Sequence, residues 1–134
     1  MVQLLEHALV DEADSTRFTL VFAARHERDH LLADTLDGLV ERHPDRLRVR
    51  YLAERVAPEA RAAWTGGIGR ITESDIKDAA TWQVDEQRAS LVLVCGPPGM
   101  MEQIAGRMRS EVDPGRVGGL LARLGYGTSQ VIKL

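Results

Sequence analysis

Hydrophobic residues follow two periodicities along this 134-residue chain. Near-continuous apolar runs at 18–24 (FTLVFAA) and 90–95 (SLVLVC) predict buried strands. Alternating basic and apolar residues at 46–54 (RLRVRYLAE) predict a half-exposed or edge strand, and 128–134 (TSQVIKL) predicts a short last strand. Apolar residues at helical spacing predict four helices. They lie at 4–9, from 31 to a stop near 43–44, at 98–108 and at 118–124.

Local start and stop signals agree with this division. Thr72 and Asp75 have the spacing of a capping box, which predicts a short helix over 71–81. Pro98 suits the first turn of a helix, and Gly125 suits the position just after a helix end. The Ala-, Gly- and Pro-rich stretch 55–69 predicts a long loop. Because strands and helices alternate, the chain is predicted to be an α/β domain with a parallel sheet flanked by helices.

Composition narrows the function classes. The formal net charge of −3 and the lack of a basic stripe argue against a nucleic-acid partner. The single cysteine, Cys95, cannot form an internal disulfide, which favours a reducing, intracellular compartment. No apolar run approaches the roughly 20 residues of a membrane helix.

The strongest candidate site lies where the strand at 90–95 stops. Cys95 and Gly96 are followed at once by Pro97 and Pro98, and ligands of parallel α/β sheets bind at the carboxyl ends of strands. Gly96 permits close approach of a ligand to the backbone. The prolines stiffen the turn and prepare a helix N-terminus, whose free N–H groups attract anions. A stiff strand-to-helix turn with no ligand is the alternative on local grounds.

The stretch LVLVCGPPGMM, followed at the C-terminus by LLARLGYGTSQVIKL, resembles the NADH-binding domain of the cytochrome-b5 reductase family. That family belongs to the ferredoxin–NADP reductase-like flavoproteins. Residues 18–54 resemble its second strand, helix and third strand, and Gly69-Arg70-Ile71-Thr72 resembles its short signature before the next helix. Residues 105–126 are similar to fungal mitochondrial members, which suggests a mitochondrial or membrane-associated protein, anchored through a segment outside this chain.

The resemblance implies roles for individual residues. Cys95 would lie beside the nicotinamide ring as the catalytic residue, with Gly96, Pro97, Pro98 and Met100 lining the nicotinamide and its ribose. Ala24, Arg25 and Gly69 would contact the rest of NADH, along the pyrophosphate and adenosine. Glu54 matches an acidic residue that favours NADH, because a carboxylate accepts hydrogen bonds from the ribose 2′-hydroxyl and repels a 2′-phosphate. The alternatives are a solvated charge beside Arg55 for Glu54, and a small buried hydrophobe for Cys95.

The chain also departs from the family pattern. The FAD-binding barrel is not found in residues 1–134, and neither is the first strand of the nucleotide domain with its Gly-rich turn. The expectation is therefore a single, incomplete, partial Rossmann-like NAD-binding domain. In the complete enzyme, hydride would pass from NADH to FAD and electrons to a haem protein such as cytochrome b5, whereas this chain alone would be inactive. Leu134 stands where the family usually has an aromatic residue.

Two alternatives to an enzyme domain stay open. One is a flavin-independent nucleotide-binding module, which the same residues would serve, and the other is an inactive fragment.

The sequence His26-Glu27-Arg28-Asp29-His30 fits the zinc-protease pattern H-E-x-x-H. That site needs both histidines on one helix face and a third ligand. Here His26 follows a strand directly, and no third ligand is apparent. We therefore predict no metal and a polar loop, in which Arg25 and Arg28 are placed to meet nucleotide phosphates.

Overall fold

The computed structural model describes residues 1–81, 90–110 and 112–134. The chain forms two compact units, Met1–Gln83 and Val84–Leu134. The described elements of the first unit are α1 (Val2–Val10), β1 (Phe18–His26), a 3₁₀ turn (Glu27–Asp29), α2 (Ala33–Arg42), β2 (Leu47–Arg55), β3 (Gly67–Ile68) and α3 (Glu73–Thr81). Those of the second are β4 (Val92–Val94), α4 (Pro98–Ala105), α5 (Gly119–Arg123), a 3₁₀ turn (Thr128–Gln130) and β5 (Val131–Lys133).

The sheet of the first unit is parallel, in the order β1-β2-β3. Phe18 pairs with Leu47 at one end of the β1–β2 ladder, and His26 pairs with Arg55 at the other. The short β3 pairs with β2 at Leu52 and Ala53. The half-exposed character predicted for β2 is confirmed, but β2 is the central strand of this sheet rather than an edge.

Strand β1 is less buried than its apolar sequence predicts. Its residues are half-buried, except for the exposed Arg25. Among the described residues β1 pairs only with β2, so it lies at the edge of its sheet. A strand with one neighbour has less cover for its side chains than a strand between two neighbours.

Helices α1 and α2 supply the core of the first unit. The β1–β2 register places alternate residues on one face, because side chains alternate along a strand. The fully or largely buried residues of this cluster are Leu5, Leu9, Leu36, Leu39 and Leu47, and Phe18, Leu20, Phe22, Val49 and Tyr51 pack against them half-buried. Each fully buried leucine contributes roughly 1.5–3 kcal/mol through removal of apolar surface from water.

Arg46 joins the end of α1 to the start of β2. Its guanidinium donates to the carbonyl oxygens of Ala8 (2.9 Å), Leu9 (3.3 Å) and Asp11 (3.1 Å). Its Nε donates to the carbonyl oxygen of Thr16 at 3.2 Å. The last carbonyls of a helix lack partners within the helix, so one side chain completes the C-terminal end of α1.

Helix α2 begins later than its apolar pattern predicts. It starts at Ala33, and Leu31 and Leu32 are exposed, at 87% and 46%. The prediction that these two leucines belong to the apolar face of the helix is wrong. His30, only 7% exposed, turns inward at this point instead.

The capping box predicted for α3 is confirmed. The Thr72 backbone N–H donates to Asp75 Oδ2 at 2.9 Å, and the Asp75 N–H donates to Thr72 Oγ1 at 3.3 Å. Asp75 also accepts a 2.8 Å hydrogen bond from Arg50 Nε on β2. Burial raises the pKa of Asp75, but the hydrogen bonds from Thr72 and Arg50 outweigh it and hold that pKa below its usual value.

The second unit has a parallel β4–β5 pair, in which Val92 aligns with Val131 and Val94 with Lys133. Pro98 occupies the first turn of α4, as predicted. Gly125 has φ +87°, which suits its predicted position after α5. The buried Lys133 ammonium donates to the carbonyl oxygens of Pro114 (2.7 Å), Arg116 (2.9 Å) and Arg107 (3.5 Å). Burial lowers the pKa of Lys133, and Asp113 opposes that shift.

Candidate functional site

Four residues of the first unit, predicted to contact NADH, lie at one rim of its sheet. Ala24 on β1 pairs with Ala53 on β2, the residue before Glu54. The Gly69 N–H donates to the Ala53 carbonyl oxygen at 2.8 Å. Because the strands are parallel, their carboxyl ends bring Ala24, Arg25, Glu54 and Gly69 to the same edge.

Gly69 has a backbone conformation that disfavours any other residue. Its φ is +117°, a region that side chains with a Cβ rarely adopt. No atom lies within 4 Å of the position that a Cβ would occupy there. The glycine is therefore required by the turn after β3 and not by crowding, and it directs Arg70 toward the end of β2.

Glu54 forms an ion pair with Arg70. The Arg70 Nε donates to Glu54 Oε1 at 2.9 Å, and the two side chains are 71% and 37% exposed, respectively. The alternative interpretation, a solvated charge beside Arg55, is compatible with this exposure, and the structure adds Arg70 as the partner of Glu54. The candidate set drawn from the sequence omitted Arg70, although its position after Gly69 in the signature was a usable signal. An exposed pair of this kind contributes about 0–1 kcal/mol, so a ligand can replace it at little cost.

Cys95 lies at the carboxyl end of β4 and is exposed. Its interpretation as a small buried hydrophobe is therefore wrong. The Leu134 N–H donates to the Val94 carbonyl oxygen at 2.9 Å, and Val94 pairs with Lys133. The C-terminal residue consequently runs alongside the cysteine.

Met100 folds back over Gly96. The Met100 methyl group occupies the place where a Cβ on residue 96 would stand. Pro97 precedes α4 with φ −57° and ψ 150°, and its carbonyl oxygen accepts a 3.0 Å hydrogen bond from the Met101 N–H. Cys95 and Gly96 are exposed residues, and the flexible Met100 thioether lies beside Gly96.

The H-E-x-x-H sequence does not form a helical face. His26 is the last residue of β1, and the 3₁₀ turn begins at Glu27. Both ring nitrogens of His30 lie against backbone carbonyl oxygens, Nδ1 at 3.0 Å from Glu27 and Nε2 at 3.1 Å from Phe22. Within 1–81, 90–110 and 112–134 no three His, Cys, Asp or Glu side chains gather as metal ligands do.

Comparison with known proteins identifies the family. Residues 1–106 match the model of the oxidoreductase NAD-binding domain. The chain belongs to this family. It is 39% identical over 133 residues to NADH-cytochrome b5 reductase 2 of Aspergillus fumigatus, and 38% identical to the protein of that name from Neosartorya fischeri. Each alignment covers 99% of this chain and 39% of the relative. The resemblance predicted from the Cys-Gly-Pro-Pro stretch is confirmed.

Solved structures agree on the fold. The cytochrome b5 reductase domain of Ulva prolifera nitrate reductase matches with a TM-score of 0.73 and 23% identity, covering 98% of this chain and 42% of that one. The CS-b5R domains of human Ncb5or, in an NAD⁺ form, match with a TM-score of 0.70 and 23% identity, covering 99% and 32%. The predicted α/β class, with parallel strands flanked by helices, is confirmed.

Among the helices that the structure describes, none is both long enough and apolar enough to cross a membrane.

Proposed function

We propose that this chain is the NAD(H)-binding part of a flavoprotein oxidoreductase. In the complete enzyme, hydride passes from NADH to FAD, and electrons pass on to a haem protein such as cytochrome b5. The chain spans about two fifths of the length of its curated relatives, and we place FAD on a domain outside these 134 residues. The supporting observation is the exposed Cys95 at the end of β4, directly before the Gly-Pro-Pro turn.

The residues of the second unit serve the nicotinamide end of NADH in this proposal. A nicotinamide supplies the hydride, and the protein orients the ring. Cys95 has an exposed thiol for contact with the ring. Gly96 has no side chain of its own, and the flexible Met100 side chain that lies beside it can move aside for a ribose.

The residues of the first unit serve the adenosine end. Glu54 accepts hydrogen bonds from the 2′-hydroxyl of the adenosine ribose, releasing Arg70 to water or to phosphate. Ala24, Arg25 and Gly69 lie on the same rim, and the exposed Arg25 offers a cation for the pyrophosphate.

The test is NADH binding by the full chain, measured by titration and by protection of Cys95. We expect NADH to slow alkylation of Cys95 by iodoacetamide, and NADPH to slow it less at the same concentration. Absence of both binding and protection at millimolar NADH would contradict the proposal and would favour an inactive fragment. Binding without reduction of added FAD, even together with the rest of the enzyme, would favour a flavin-independent nucleotide-binding module.

A further inference from the structure

Trp64, on the loop between β2 and β3, contacts three segments of the first unit. Its ring centroid lies 5.5 Å from that of His30, the buried residue that follows the 3₁₀ turn. Its indole N–H donates to the Gly67 carbonyl oxygen on β3 at 3.2 Å. A Cβ on Gly66 would collide with the Trp64 ring and with the Tyr51 carbonyl oxygen of β2. The absence of a side chain at residue 66 therefore lets the indole lie close to the sheet.

Strand β3 buries little apolar surface through its own side chains. It consists of two residues, Gly67–Ile68. Glycine has no side chain to bury, and Ile68 is 57% exposed. Removal of apolar surface from water is the main force that holds elements together, and β3 gains little from it. The half-buried Trp64 ring supplies apolar surface beside β3, because aromatic rings offer large areas for burial.

In the proposed function, the residues that follow β3 belong to the adenosine side of the rim. The Gly69 N–H donates to the Ala53 carbonyl oxygen at 2.8 Å, and the Arg70 Nε donates to Glu54 Oε1 at 2.9 Å. Both contacts require β3 to lie against the end of β2. We infer that Trp64 is a positioning residue, which holds β3 in place and thereby sets where Arg70 meets Glu54. Its effect on NADH rests on the proposed function, whereas its hold on β3 does not.

Other hydrogen bonds of this loop fix its path before the indole. The Ala57 N–H donates to Glu27 Oε2 at 3.3 Å, which ties the start of the loop to the 3₁₀ turn. The backbone N–H groups of Trp64 and Ala63 donate to the Ala60 carbonyl oxygen at 3.0 and 3.1 Å. None of these three bonds reaches β3. The indole N–H extends the same series of contacts to that strand.

The hold on β3 is tested on the full chain without nucleotide. Trp64→Leu removes the ring and the indole donor, and we expect it to speed amide exchange of Gly69 about tenfold, as for loss of one hydrogen bond with its packing. Trp64→Phe keeps an aromatic ring but loses the donor, so its rate should fall between the two. Arg61→Ala, at an exposed position of the same loop, is the matched control and should leave the rate unchanged.

Unchanged exchange of Gly69 in Trp64→Leu would overturn the inference. If Trp64→Leu does not fold, Trp64→Phe takes its place, and unchanged exchange of Gly69 in that variant overturns the role of the indole hydrogen bond.

The consequence for NADH is a separate measurement, in which NADH and NADPH are titrated at a temperature where each variant is folded. We expect Trp64→Leu to narrow the preference for NADH about three- to tenfold, because the Glu54 carboxylate is no longer fixed near the ribose 2′-position. Trp64→Phe should restore most of the preference, and Arg61→Ala should leave it unchanged.

A lower melting temperature of Trp64→Leu with an unchanged preference would mean that Trp64 only stabilises the fold, which would overturn the positioning role. If the unmodified chain binds neither nucleotide, the proposed function fails, and the exchange rate of Gly69 still decides the hold on β3.

Discussion

Glu54 and Arg70 are joined by a single 2.9 Å hydrogen bond at the carboxyl ends of β2 and β3. The pair places a carboxylate and a guanidinium where the proposed function puts the adenosine ribose. In the structure Glu54 pairs with the Arg70 cation, and in the proposed function it would instead accept the ribose hydroxyl.

Replacement of Glu54 tests cofactor choice. We expect NADH to bind more tightly than NADPH, by about 1–3 kcal/mol for one like-charge contact. Glu54→Thr should narrow this difference, because it removes the repulsion and frees Arg70 for the 2′-phosphate. Titration of both nucleotides gives the two affinities. Glu59→Thr, an exposed acidic residue on the loop after β2, should leave the difference unchanged. Equal affinities in the unmodified chain would remove Glu54 from the site.

Replacement of Cys95 tests the nicotinamide end. In the complete enzyme we expect Cys95→Ala to lower the rate of hydride transfer by about ten- to a hundredfold, since misplaced reacting atoms lose rate steeply. NADH affinity should change much less, because the adenosine contacts remain. Stopped-flow measurement of flavin reduction separates the two effects. An unchanged rate would show that the thiol does not contact the ring.

Asp75 should make the first unit sensitive to acid. Its pKa in the folded protein is lowered, so its contribution to stability is present above the unfolded value of about 3.9 and is lost as the pH falls through the folded pKa. Asp75→Asn should cost about 1–3 kcal/mol at neutral pH, because it weakens the bonds to Thr72 and Arg50. The same change should also make the free energy of unfolding fall less steeply below about pH 4. Thermal unfolding across pH measures both effects, with the exposed Asp78→Asn as control.

Arg46 should determine whether α1 stays docked. Arg46→Met keeps the aliphatic stem but leaves the carbonyls of Ala8, Leu9 and Asp11 without this donor. We expect a loss of about 2–3 kcal/mol in the free energy of unfolding, since hydrogen bonds to a charged group are strong. Amide exchange over residues 2–10 should rise most. Arg61→Met, on an exposed loop, should produce no such change. A loss spread evenly over the chain would contradict the specific role.

Lys133 should hold the segment that links α4 to α5. Lys133→Met removes the donor to the Pro114 and Arg116 carbonyls and is expected to destabilise the second unit by about 2–4 kcal/mol. Hydrogen exchange over residues 106–118 provides the measurement. Lys77→Met, at an exposed position of α3, is the matched control and should leave that segment protected. Unchanged exchange in Lys133→Met would mean that water replaces the ammonium there.

Local sequence signals predicted the helix and strand order well. The Thr72–Asp75 capping box, Pro98 at the start of α4 and Gly125 after α5 each act within a few residues, so pattern alone reveals them. The sequence patterns did not reveal features that depend on residues far apart in the chain. Leu31 and Leu32 have the spacing of a buried helix face, but both are exposed. The chain buries the neighbouring His30 instead, against carbonyl oxygens of β1 and of the 3₁₀ turn.

In the candidate site, too, features set by adjacent residues could be predicted, and features set by distant residues could not. The Cys-Gly-Pro-Pro turn follows from sequence because its residues are adjacent. The partner of Glu54 does not, because Arg70 comes from a different strand end 16 positions away. Arg50 likewise reaches Asp75 across 25 positions. The signature around Gly69 marks Arg70 as a residue of interest, but no local pattern shows which residue either arginine pairs with.

The parallel register of β1 and β2 also has a kinetic consequence. The ladder begins by joining Phe18 to Leu47, so a loop that includes α2 has to close before the first inter-strand hydrogen bond forms. Closing such a loop costs chain entropy that only later contacts repay. We therefore expect a non-local step to limit folding of the first unit, and local turns of α1 and α2 to form before the sheet does.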